Sequence, residues 1–526
     1  MKAGGLTQRC GLGGALVLVA LLARLALWPL ATLSSGDSAT RVLIAWAWLE
    51  EPAAVLPGFW GPLHFYLIAA ALALWPDTLR APVALQILLT SAAGAALFGF
   101  IRREMPIRSE ITAFAAAAAF ALSPLFLSRS LEARSEPLAA AFLACALWAL
   151  ARARAGPERP AWAACAGLFV MAAGLLRFEV WALIPPLALA LWRRWRSLGL
   201  FLAPALVHPL LWLSENALEQ GDPLGPLRFG ARFEGELNAR AALPLAVLAF
   251  DALRLVSYAL RGLTLPLALL VVFGLWVTWR RRPEALAWLV PALILAILEV
   301  QAILAGALIP KPGYAILWTL FAAPFLAPAL EALAARLHIQ QARLAGAVLL
   351  VAGLVQAAAL AGGGSPWTRL ASLAPVPRFD GQEQITALAA RIPEAPAADA
   401  RGWILDAIGS QPQGWLMLSL DLRLRDVFRA PDTVVDTYAA EELEAFVARR
   451  PEGWLLLLPG SRFAAALGFR PEASCMAAGA LRLAVRPTLI APWGRPPLRP
   501  AAGSSPAPAD LHLLSYRRDE GCSPGS

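Results

Sequence analysis

Charge is scarce in this chain. Asp, Glu, Lys and Arg make up only 15% of its 526 residues, 59% are hydrophobic, and the mean hydropathy is +0.61. Soluble globular domains carry far more charge, so the expected solvent is a membrane. Cysteine is scarce too: Cys10, Cys145, Cys165, Cys475 and Cys522 show no CxxC or Cys/His spacing of the kind a zinc or iron–sulfur centre needs. Only Cys475 and Cys522 are candidates to pair, and only if their domain faces an oxidising compartment. No repeat of fixed period is present, and there is no sign of the inverted repeats and broken midplane helices that a transporter or flippase of lipid-linked sugars would carry. The net charge of +9 says little about partners in such a chain, where placement sets orientation, and no nucleic-acid partner is expected.

What is present is a series of apolar stretches. They run over 11–32, 81–101, 109–128, 137–153, 160–176, 180–192, 198–214, 263–279, 285–309, 313–330 and 344–361. Read as helices crossing a ~30 Å hydrocarbon layer, they make about eleven spans, the 180–192 stretch being short. The first carries Arg24 and is too long for a cleaved signal peptide, so it is expected to stay as a membrane helix. With the N-terminus inside, the arginines at 102, 103 and 108, at 152, 154 and 159, at 193, 194 and 196, at 280–282, and at 336 and 343 all fall in cytoplasmic loops. Two further apolar stretches, 61–75 and 243–260, would invert every later helix if they crossed. They are expected to lie in the outer interface.

After residue 361 the composition changes, and short apolar runs such as WILDAI and WLLLLP alternate with helical stretches such as AAEELEAFVARR. The expected fold class is therefore an α-helical polytopic membrane protein over 1–361 with a C-terminal soluble α/β domain over 362–526, on the outer side. The Pro-rich stretch 491–510 reads as a loop or tether.

The charged residues at the outer helix ends are the functional candidates, because an ionised group near hydrocarbon is costly unless it faces a cavity or a partner. The outer loops read SSGDSATR, SRSLEARSEP, LLRFEV, a long segment containing GDPLGPLRFG, and IPKPGY. Acids beside Arg and Lys are suited to binding a phosphate, holding a metal or accepting a proton. The order of these segments, with WGPLHFYL after the first loop acid, GLLRFEVWALIPPLALALWRR in the middle and PKPGYAILWTLFAAPFLAP late, resembles the C-type membrane glycosyltransferases, the superfamily of protein O-mannosyltransferases and aminoarabinose transferases. The resemblance covers about residues 10–361.

That resemblance implies a transferase using a polyprenyl-phosphate-linked sugar and a glycan, lipid or protein acceptor at the outer face of the bilayer. Asp37 would be the general base or a metal partner, and Glu136 the second-loop acid. The two would meet at the mouth of a lipid-accessible cleft and be the candidate ligands of a divalent cation, Mg or Mn. Relatives carry Asp at the second position, so a metal requirement is weakened here. Lys311, where relatives often have Arg, would meet the lipid phosphate, helped by Arg129, Arg134 and Arg228. Glu132, Arg177, Glu179 and His64 are secondary candidates.

Each has a plainer reading. Asp37 is a suitable N-cap for a helix starting at Ser38. Glu132 and Glu136 are spaced as solvated loop charges paired with Arg129 and Arg134. Lys311 is placed to snorkel beside Pro310, and Arg177 and Glu179 to pair across a helical turn. His64 and His208 stand alone, which favours hydrogen-bonded packing. Asp222 suits turn chemistry, and Glu299, inside an apolar helix near Gln301, marks a cavity or a polar helix contact.

Overall fold

The structure is a computed structural model that describes residues 4–28, 36–52, 61–155, 160–228, 231, 243–350, 382–392, 402–406, 410–420, 422–430, 440–478, 481–495, 509–519 and 521–522. The chain divides into two compact units. The first comprises Met1–Ala31, Ala54–Leu67 and Pro82–Val376; the second comprises Thr32–Ala53, Ile68–Ala81 and Pro377–Ser526.

The first unit is all helical. The apolar stretches expected from the sequence are mostly helical where described, with non-helical residues at 122–123, 190–192 and 305–309, and among the described residues five helices are long and apolar enough to cross a membrane: Ala81–Glu104, Ser135–Arg154, Trp195–Leu218, Pro283–Leu304 and Pro312–Leu337. The number rises to seven if each of two bent pairs is a single span. One pair breaks between Ala121 and Pro124 with a 50° bend. Pro124 has no N–H to continue the helix, so the next turn restarts there, with the Ser123 hydroxyl accepting from the Phe126 N–H at 3.4 Å. In the other, Leu245–Leu263 turns 88° into Leu265–Arg281 across Thr264, whose φ is 65°.

The bundle packs on small residues. A β-carbon added at Gly94 would lie 2.9 Å from Ala121 Cβ, and one at Gly167 would lie 2.6 Å from Pro204 Cγ, so these helix pairs close at backbone distance, as lipid-embedded helices do. Large apolar side chains face outward instead: Leu18, Leu22, Leu210, Leu269, Val272 and Ile297 are all exposed. A surface of that kind fits lipid rather than water.

One end of the bundle gathers the arginine loops. Glu104 accepts from Arg154 at 2.6 Å and from Trp288 Nε1 at 3.2 Å, while its main-chain carbonyl accepts from Arg282. Glu331 accepts the backbone N–H groups of Arg108 and Ser109 and pairs with Arg281 at 3.3 Å. Arg194 donates to the Ala153 carbonyl, and Arg336 lies over Phe273 and Trp276. Five sequence-distant loops thus meet at one end, as the positive-inside threading demands.

The second unit holds a six-stranded sheet of β1 (Gly402–Leu405), β2 (Val427–Arg429), β3 (Glu452–Leu457), β4 (Cys475–Ala478), β5 (Leu481–Arg495) and β6 (Ala509–Arg518), in the order β2-β1-β3-β6-β5-β4. β1 is parallel to β2 and β3, and the remaining pairs are antiparallel. Its core is Ile404, Leu443, Val447, Leu455, Leu457, Leu483 and Leu514. The Pro-rich stretch at 491–510 is not wholly a tether: its ends are strand, with Ala491 opposite Leu511 and Arg495 opposite Ala509. Register shifts at Pro487/Leu489 and Ala491/Arg495 accommodate the prolines that break the ladder. Residues 496–508 lie outside the described part, as do the glycine-rich segment at 362–366 and most of 229–242. Cys475 and Cys522 form a disulfide with their Cα atoms 5.8 Å apart.

Candidate active site

The far end of the bundle from the arginine loops is built around three segments of the first unit. In the first, Ser135–Arg154 begins at the SEP run, which places Glu136 in its first turn, where an acid is favoured by the helix dipole. Gln86 fixes the approach by donating to the Arg134 carbonyl at 2.8 Å. The second segment is the LLRFEV turn after Pro160–Gly174, which carries Arg177 and Glu179. The third is KPGY, whose Lys311 precedes a short 3-10 turn at Pro312–Tyr314.

Arg177 joins them. Its guanidinium takes Glu179 in a fork, at 2.5 and 3.2 Å, and reaches Glu136 Oε1 at 3.4 Å. It also lies over the Tyr314 ring at 4.9 Å. The expected Arg177–Glu179 pair is therefore present, and it is part of a larger arrangement. Arg134 is 3.7 Å from Glu136 Oε1. Gly313 brings KPGY against the same carboxylate: a β-carbon added there would lie 2.6 Å from Glu136 Oε1. Lys311, two residues earlier, is half-buried beside it.

Glu132 holds Arg129 at 2.9 Å and Arg134 at 2.5 Å. The pairing is the one expected, but the setting is not: Glu132 is 1% exposed and Glu136 is 5% exposed, so neither is a solvated loop charge. Removing one partner of such a buried pair leaves an uncompensated charge, at a cost of roughly 3–5 kcal/mol. Arg228, by contrast, is largely exposed and pairs locally with Asp222 at 2.8 Å, and Asp222 also accepts the Leu224 N–H, as its turn role predicts.

Four further features lie at this end. Arg24 is fully buried and donates to Thr90 Oγ1, Ser130 Oγ and the Ala20 and Ala121 carbonyls, tying the first helix to the second-loop turn. Its presence in an apolar stretch was the available signal. The GPLH segment reaches the LLRFEV turn, with the Leu63 N–H donating to the Leu175 carbonyl at 3.2 Å; His64 next to it is buried at 1% exposure. His208 stacks on Phe178 and meets Trp181 edge-on. It packs in this aromatic group with no hydrogen bond to either ring nitrogen among the described residues, where hydrogen-bonded packing was expected. Glu299 is buried in the helix Val290–Leu304, at the polar position the sequence marked.

Asp37 belongs to the second unit. It lies in the first turn of the helix Gly36–Glu50, inside the helix rather than as its cap, and is half-buried. The expected divalent cation does not fit the donors at Glu136: that carboxylate faces the guanidinium groups of Arg177 and Arg134, which already neutralise it. Among the described residues no group of three or more His, Cys, Asp or Glu side chains is placed to hold a metal.

No family model matches this sequence, and no curated protein matches it. Solved structures do. The apo crystal structure of ArnT from Cupriavidus metallidurans is 16% identical, with 96% of this chain and 98% of that chain covered at a TM-score of 0.58. The structure of the same protein bound to undecaprenyl phosphate is 14% identical, with 98% of each chain covered at a TM-score of 0.53. The apo oligosaccharyltransferase from Archaeoglobus fulgidus is 13% identical over 85% of this chain and 69% of its own, at 0.49. The two ArnT matches show a common fold along almost the whole chain.

Proposed function

We propose that this chain is a membrane glycosyltransferase that moves a sugar from a polyprenyl-phosphate donor to an acceptor hydroxyl at the outer face of the cytoplasmic membrane. One observation carries the reading: three segments far apart in sequence, LEARSEP, LLRFEV and KPGY, converge on Arg177 at one end of an apolar bundle. A phosphate leaving group needs cations held where water is scarce, and Lys311, Arg129, Arg134 and Arg177 are concentrated there. Arg228, held by Asp222 on an exposed loop, is an outer helper at most. ArnT, whose fold this chain shares, has been crystallised with undecaprenyl phosphate, which supports the donor class.

In the proposed reaction Asp37 accepts the proton of the acceptor hydroxyl as its oxygen attacks the anomeric carbon. The bond from that carbon to the phosphate oxygen breaks, and the electron pair leaves with the polyprenyl phosphate, giving inversion. Lys311, with Arg134 and Arg129, offsets the charge on the departing phosphate. Glu136 holds Arg177 and Arg134 in place. Sidedness follows from the gathered arginine loops, which belong in the cytoplasm. The Cys475–Cys522 bridge supports an outer, oxidising location for the second unit.

The test is release of polyprenyl phosphate by purified protein in detergent, supplied with donor and acceptor. Turnover there, with no second compartment, separates a transferase from a transporter. Asp37→Asn is expected to abolish transfer while donor lipid still binds, and full activity in that variant would reject Asp37 as base. Lys311→Ala is expected to raise KM for the donor.

A further inference from the structure

The helix that carries Asp37 is bolted along one face to the C-terminal sheet domain. Near its start, Ala39 packs so closely on Gly414 that a β-carbon added there would lie 2.7 Å from Ala39 Cβ. Near its end, Arg423 stacks on Trp46 at 3.3 Å from the ring centroid and pairs with Glu50 at 3.1 Å, while Arg425 reaches Glu50 at 3.4 Å. At 3.6 residues per turn, Ala39, Trp46 and Glu50 fall within about 40° of one another, and Asp37 points about 160° away from them.

The partner helix Ser410–Ser419 is itself fixed to the sheet. Buried Gln413, the neighbour of Gly414, donates to the carbonyls of Asp406 and Ala430 at 2.6 and 3.2 Å, beyond the carboxyl ends of β1 and β2, and accepts from Arg429 at 3.1 Å. Asp406 in turn accepts from the Leu458 N–H and the Ser461 hydroxyl, both at 2.7 Å, which ties in the end of β3. An unbroken set of contacts runs from three parallel strands through Gln413 and Gly414 to Ala39, two residues from Asp37.

We infer that the C-terminal domain is the platform that sets the position and rotation of the Asp37 helix, with Gly414, Arg423 and Glu50 as positioning residues for the base. This rests on the role of Asp37 proposed above. A helix gripped at both ends on one face cannot roll, so the carboxylate on the opposite face keeps one direction. A displacement of the order of 1 Å at a reacting group is enough to cost up to about a hundredfold in rate.

The experiment uses the full-length enzyme, with kcat and donor KM measured per folded molecule. Gly414→Ala, which drives Ala39 and its helix outward, is expected to lower kcat by about tenfold or more and leave KM for the lipid donor unchanged. Adding Ala39→Gly to the same chain removes the clashing carbon and is expected to return kcat to near its starting value, which a general loss of stability would not do. Glu50→Gln, which loosens the far end without a clash, is expected to lower kcat in the same sense by a smaller factor. Wild-type kcat in both single variants overturns the inference, as does a loss in Gly414→Ala that Ala39→Gly fails to relieve. Activity in Asp37→Asn removes the base itself; an inactive Asp37→Asn beside an unaffected Gly414→Ala removes only the platform.

Discussion

Replacing Gly313 by alanine adds one carbon atom at the point where KPGY meets the second-loop acid. That atom would lie 2.6 Å from Glu136 Oε1, 2.9 Å from its Cδ and 3.0 Å from its Cγ. Ordinary contact begins near 3.4 Å, so the carboxylate has to retreat by about 0.8 Å. It has little freedom to do so, because Oε1 already faces Arg177 at 3.4 Å and Arg134 at 3.7 Å and the side chain is almost fully buried. The retreat therefore moves the guanidinium groups too, or pushes Lys311 and Tyr314 away. A shift of this size is expected to cost roughly 10- to 100-fold in kcat/KM, or about 1.4–2.7 kcal/mol. The assay is polyprenyl phosphate release in detergent across a range of donor concentrations, with Gly199→Ala as control, since nothing lies within 4 Å of an added carbon at that site. Equal kcat/KM in the Gly313 variant and the control would refute the claim that KPGY and Glu136 form one working unit.

Arg24→Met keeps an apolar stem of similar length but abandons two hydroxyls and two main-chain carbonyls in the bundle interior. Thermal or denaturant unfolding is expected to show a loss of roughly 2–4 kcal/mol, and a variant as stable as the parent would mean that the buried cation contributes nothing. Reducing the Cys475–Cys522 bridge, or replacing both residues by serine, reopens a loop with a sequence separation of 47 residues. The C-terminal domain is expected to lose about 2–4 kcal/mol, read as a lower unfolding midpoint by circular dichroism.

How much of this was legible in the sequence depends on which signal each feature leaves. Hydropathy marks a helix whatever it packs against, so the apolar stretches and the gathered arginine loops were both readable. The break at Pro124 hid inside the single stretch 109–128, because hydropathy does not register a missing N–H. Asp37, Glu136 and Lys311 are candidates only through their place in the order of motifs. The role of Arg177 as a shared partner of Glu136, Glu179 and Tyr314 could not, since a local Arg/Glu spacing explains the pair without the third segment. The docking of Ala39 on Gly414 left no trace at all. Two small residues far apart in the chain carry neither charge nor periodicity, and only the folded backbone shows that nothing larger fits.

The acids at the active end of the bundle then have a purpose that does not require them to touch substrate. Four cations, Arg129, Arg134, Arg177 and Lys311, concentrated beside an apolar bundle would repel one another and resist burial. Glu132, Glu136 and Glu179 offset that repulsion and fix the guanidinium groups in forked or stacked geometry before any donor arrives. An incoming phosphate then meets guanidinium groups that are already held in place. On the proposed chemistry this preorganisation is what the phosphate leaving group needs, since charge stabilisation is most effective when the donors of that stabilisation are already oriented.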